Sequence, residues 1–130
     1  MSPILLGTHT FIWLLEGNTN LPVTLREVID NADQVFVSIV SLWEIAIKVN
    51  IGKITLEKNF NDLEASLNNT RLILLPISII ATVHLSNLPI HSNHKDPFDR
   101  MLIAQAIDRN LLIASRDLKF DLYAVQRIWE

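Results

Sequence analysis

The chain has 130 residues, 49% of them hydrophobic and 19% charged, with a formal net charge of −3 and no cysteine. That content fills the core of a single domain and is too apolar for a disordered chain. It excludes disulfides and thiolate metal sites, and it leaves nucleic-acid contact to a local basic patch rather than a basic surface.

The chain opens on a short apolar run, Ile4-Leu5-Leu6, which reads as a strand. Gly7, Thr8 and His9 follow, and a helix is expected from about Thr10 to Leu15, stopped by Gly17 and Asn18. No basic segment precedes the apolar start and no run approaches the ~18 apolar residues of a membrane span, so a cytoplasmic chain without signal peptide or membrane contact is expected. In open α/β folds ligands bind at the carboxyl ends of strands. A glycine at the first such end therefore raises the question of what stands in for a functional side chain.

Thr24 with Glu27 three residues on suggests a capping box and a helix carrying Leu25, Val28 and Ile29 on one face. The run 34–38 is β-branched and aromatic, a second strand. Ser38 is placed to cap the helix that follows, and Gly52 suits its left-handed stop. A weaker helix is expected over 59–69. Residues 71–77 read as a third strand, and Ser78 is placed to cap a helix over 79–88. After a polar loop, Asp96-Pro97 is a clear helix start. Residues 111–116 make a fourth strand and 126–129 a short fifth. Strands that are continuously apolar rather than alternating are buried on both faces. Their alternation with helices predicts an α/β fold, a three-layer α/β/α sandwich on a mainly parallel sheet, forming one domain over 1–130.

Most of the fourteen acids sit among polar neighbours. Glu44 does not: it lies inside the apolar "SLWEIAIK", as a second capping box with Ser41, an i,i+4 partner of Lys48, or a functional acid. Asp96 and Asp99 suit a helix N-terminus. Asp117 directly follows the fourth strand, where it could cap a turn or work in a cleft. Three carboxylates brought to one sheet edge repel unless protons or a cation intervene, and hard oxygen donors without cysteine suit Mg²⁺ or Mn²⁺. Such an ion can generate hydroxide and hold a phosphodiester for attack. Thr8 and Ser115 could bind a phosphate. Lys48, Lys95, Arg100 and Arg116 could form a basic rim, although Arg100 could instead pair with Asp96. His9, His91 and His94 lack a metal-ligand spacing and are expected to be solvated or at a strand end. Trp13, Trp43 and Trp129 are expected to anchor the core or an interface. A receiver-type signalling domain is disfavoured, because Gly7 and Pro76-Ile77-Ser78 stand where its acids belong.

"SLWEIAIK" followed by "KDPFDRMLIAQA", with "LLGTHTFIWLL", "LLIASRD" and "VQRIW", resembles PIN domains, and most closely the VapC-type ribonuclease toxins of bacterial toxin–antitoxin pairs. The resemblance covers nearly the whole chain. It implies a PIN-like α/β/α fold, an endoribonuclease using Mg²⁺ or Mn²⁺, an RNA substrate, a VapB-type antitoxin partner and a homodimer. Carried over by position, the catalytic and metal-binding acids are Glu44, Asp99 and Asp117, with Asp96 as a neighbouring helper. The family's first acid belongs at position 7, where this chain has glycine. The resemblance therefore implies weak metal binding and slow or absent cleavage. The alternative is a non-cleaving scaffold that binds an antitoxin or RNA.

Overall fold

In the computed structural model, which describes residues 3–130, five parallel strands form one sheet in the order β3-β2-β1-β4-β5. They are β1 (Ile4–Leu6), β2 (Val35–Ser38), β3 (Ile73–Leu75), β4 (Leu112–Ala114) and β5 (Arg127–Ile128). The helices are α1 (Thr8–Glu16), α2 (Val23–Asn31), α3 (Ile39–Asn50), α4 (Leu63–Asn68), α5 (Ile79–Ser86) and α6 (Pro97–Arg109).

Successive side chains of a strand point to opposite faces, and the core divides accordingly. Ile4, Leu6, Val35 and Val37 pack with Phe11, Leu25 and Ile45 of α1, α2 and α3. Leu5, Phe36 and Ile113 pack on the other face with Leu102, Ile103 and Ala106 of α6. This is the expected three-layer sandwich. β1 pairs with β2 on one side and β4 on the other, so the chain reverses its direction of growth across the sheet beside β1. A ligand crevice is expected at the carboxyl ends of strands at such a switch point.

The caps at Ser38, Ser78 and Asp96 form as anticipated, accepting from the backbone N–H of Val40, Ala81 and Asp99. Gly17 and Gly52 take left-handed backbone, at φ 65° and 77°. Three expectations fail. The Thr24–Glu27 box does not form, because α2 already begins at Val23 after Pro22 and Thr24 lies inside it. Ser41 is likewise inside α3, so it does not cap Glu44. β3 is not buried on both faces: as an edge strand it exposes Ile73 and Leu74.

Gln105, buried on α6, ties three elements together. Its Oε1 accepts from Ser38 Oγ at 2.6 Å and its Nε2 donates to Pro76 O at 3.2 Å. Gln105→Leu leaves both partners short of a bond. It is expected to lower unfolding free energy by about 2 kcal/mol, measured by urea denaturation.

Candidate active site

The carboxyl ends of β1 and β4 meet through one carbonyl. Ala114 O accepts from Gly7 N–H at 2.9 Å and from Thr10 Oγ1 at 2.8 Å, which fixes the first turn of α1 against the end of β4. α1 starts two residues earlier than its apolar pattern suggests, with Gly7 at its N-cap and φ −65°. That backbone is open to any residue, so the turn itself does not require glycine. A Cβ at position 7 would stand 3.1 Å from Ala114 O and 3.3 Å from Ser115 Cβ, a tight but adjustable fit.

An open cleft of about 440 Å³ lies over this junction. Gly7, Thr8 and His9 enter it from the end of β1, and Ser115, Arg116 and Asp117 from the end of β4. Glu44 and Lys48 line it from α3, and Asp96 and Asp99 from the start of α6. The acids that the sequence singled out thus share one cavity, as do Thr8, Ser115, Lys48 and Arg116. Arg100 does not line it. Lying one residue beyond Asp99, it is rotated by about 100° around the helix, and it donates to Pro89 O at 2.8 Å and Tyr123 Oη at 3.0 Å rather than to Asp96.

Each carboxylate already has work. Glu44 is only 4% exposed. Its Oε1 lies 2.7 Å from Thr8 Oγ1, which in turn is 3.0 Å from Ser41 Oγ, and its Oε2 accepts from Lys48 Nζ at 2.6 Å. The i,i+4 pair exists, but inward and not on a solvated stripe. The bond to Glu44 raises the Lys48 pKa, helped by the charges of Asp96 and Asp99. Asp96 Oδ1 holds the N–H of Asp99 at 2.9 Å, and Asp117 Oδ1 holds that of Lys119 at 3.0 Å. Asp99 is strained: burial, then the charge of Asp96, push its pKa up to about 6. His9 is shifted down by burial and by Lys48.

His94 corrects the expectation of a solvated histidine. It is 4% exposed, with Nδ1 2.8 Å from Tyr123 Oη and Nε2 3.2 Å from Asp99 Oδ2. Arg100 donates to the same phenol oxygen, and an ionised Asp99 carboxylate can only accept from His94. The imidazole N–H then sits on Nε2 and faces Asp99. This chain holds one Asp99 oxygen and leaves Oδ1 for the cleft. Nothing in the spacing of residues 94, 99 and 123 marks them as neighbours. His94→Leu is expected to cost about 1–3 kcal/mol of stability, and His94→Gln, which retains an N–H in reach of Asp99, is expected to recover part of it in the same denaturation assay.

The residues present do not fit a closed Mg²⁺ or Mn²⁺ site. Among the described residues no three acid or imidazole side chains gather closely enough to hold one ion. Gly7 supplies no oxygen, Lys48 occupies one side of Glu44, and the oxygens that bind backbone N–H groups are diverted.

A family model described as "PIN domain" matches residues 4–126. The chain belongs to the PIN domain family. A search of curated proteins finds no match for this PIN domain. Among solved structures it is similar to a chain of DNA-bound VapBC from Salmonella typhimurium, with TM-score 0.70 and 20% identity over 98% of each chain. It is similar also to one from VapBC2 of Rickettsia felis bound to a promoter DNA fragment, with TM-score 0.69 and 17% identity over 98% of this chain and 99% of that one. VapBC-1 of nontypeable Haemophilus influenzae gives TM-score 0.65 and 18% identity, over 97% and 96%. These likenesses show that the PIN fold extends over the whole domain.

Proposed function

We propose that this PIN domain is the endoribonuclease toxin of a toxin–antitoxin pair, acting on RNA phosphodiesters, and that Gly7 suppresses cleavage in this chain. The observation that carries the reading is the gathering of Glu44, Asp99 and Asp117 in one cleft at the sheet's switch point, with a glycine at the fourth position. In the family pattern an aspartate at position 7 supplies a central ligand for Mg²⁺ or Mn²⁺. Without it the remaining acids hold such an ion weakly.

The partner in this reading is a VapB-type antitoxin whose arginine enters the acidic cleft, a contact that survives in part on the three remaining carboxylates. The fold's likeness to chains of VapBC complexes supports that choice. A homodimer is supported by the apolar face of α5, where Ile79, Ile80 and Val83 are exposed. Among the described residues no helix is long and apolar enough to cross a membrane, and we assign the protein to the cytoplasm.

A second reading, a non-cleaving scaffold for antitoxin or RNA, is favoured by the Lys48–Glu44 pair, which closes one side of the site with an internal cation. One experiment separates the two. The chain and its Gly7→Asp variant are incubated with structured RNA and Mn²⁺. Cleavage by the variant alone supports the suppressed nuclease; no cleavage by either, with identical Mn²⁺ titrations, overturns it.

A further inference from the structure

The acids account for one part of the cleft. A different wall of the same cavity is aromatic and cationic. His9 and Trp13 lie four residues apart on α1, on one face of the helix, with ring centroids 5.8 Å apart and planes tilted by 49°. The Arg116 guanidinium lies over the Trp13 ring, 4.8 Å from its centroid. Trp129 supports Trp13 from behind with an edge contact at 5.9 Å. Trp13 is therefore both the anchor expected of it and part of the cleft lining.

Arg116 extends this wall. It is exposed, and Asp117 is its immediate neighbour, yet among the described residues it makes no ion pair. It is held by the indole instead. Stacking engages the face of a guanidinium and leaves its N–H edge free, the edge that matches a phosphate in two-point geometry. With Arg116 over the indole, the exposed His9 ring and the exposed guanidinium remain to take a nucleobase of any identity. A bare anion would meet the cleft's carboxylates with no compensating contact. A nucleotide brings a flat apolar base to the wall and a phosphate to Arg116, and a space of about 440 Å³ admits it.

We propose that His9, Trp13 and Arg116 form a subsite for one unpaired nucleotide of an RNA strand, its base stacked on the wall and its phosphate on the Arg116 edge. The subsite rests on the RNA-directed reading above and adds a place on the protein where the strand beside the reacting bond is held.

The test is binding, which this chain permits because Gly7 keeps the strand intact. Fluorescein-labelled single-stranded RNA octamers, each with one abasic position moved along the strand, are titrated with the full chain in Mg²⁺, with strand integrity checked on a gel. At one position the abasic change is expected to weaken binding about 5–100-fold. His9→Ala is expected to shrink that difference, and Arg116→Gln to weaken every octamer and reduce the salt slope by about one. Both positions are exposed, so the fold tolerates them. If intact RNA binds but every abasic octamer binds equally well, the subsite is wrong while the RNA-directed reading stands. If intact RNA does not bind at all, both fall.

Discussion

Replacing Gly7 with aspartate is expected to give the cleft a measurable affinity for Mn²⁺, at least about tenfold above that of the parent chain, and to switch on RNA cleavage. The backbone permits the change, since φ at position 7 is −65°. The new Cβ presses on Ala114 O at 3.1 Å and Ser115 Cβ at 3.3 Å, so the ends of β1 and β4 must part by a few tenths of an ångström. The new charge also joins Glu44, Asp96, Asp99 and Asp117, set against Lys48 and Arg116 in the same cleft. The metal-free variant should therefore be less stable than the parent by about 1–2 kcal/mol. Mn²⁺ should reverse the order, because an ion that binds only the folded state raises its stability by mass action. Thermal melts of both proteins across a Mn²⁺ series check this. Parallel melting curves would show that position 7 does not contribute to a metal site.

Asp99→Asn is expected to stabilise the protein at neutral pH. The Asp99 pKa is pushed up to about 6 from 3.8, so folding disfavours its charged form. The folded state then binds the extra proton between these values. The stability linked to that proton is complete below about pH 4 and lost as pH rises through 6. Asparagine carries no charge and can still accept from His94 Nε2. At pH 7.5 the variant should unfold about 2 kcal/mol harder than the parent, and the gap should close near pH 4. Urea denaturation at the two pH values measures it. Equal stabilities at pH 7.5 would mean that the carboxylate is not strained. A site whose own acid destabilises the fold is what a binding function leaves behind, since a stability-optimised core would have no reason to hold it.

The sheet and its layers could be read from the chain because β1, β2 and β4 are apolar runs too short for helices and are bounded by polar turns. Serine or aspartate before an apolar run identified three helix starts, since capping is a local interaction. The cleft was legible as far as its acids, because Asp96, Asp99 and Asp117 stand next to a helix start or a strand end and Glu44 is a charge inside an apolar helix. What escaped depended on residues distant in sequence. His94 meets Tyr123 across 29 positions, and that contact, with Phe120 and Asp99, removes it from solvent. Arg100 turns to Tyr123 and Pro89 because helical rotation carries it away from Asp99. The exposure of Ile73 and Leu74 follows from β3 lying at the sheet's rim, which no local pattern reveals. The capping box at Thr24 was a correct motif in the wrong register, because α2 starts after Pro22.

Pro76 ends β3 after three residues and lends its carbonyl to Gln105. It lacks the N–H that would continue the ladder. The run from Ile73 to Ile77 is otherwise apolar and lies on the sheet's open margin, the kind of surface on which another chain can add a strand. One imino acid thus shortens the stretch of ladder that this margin can offer to an added strand.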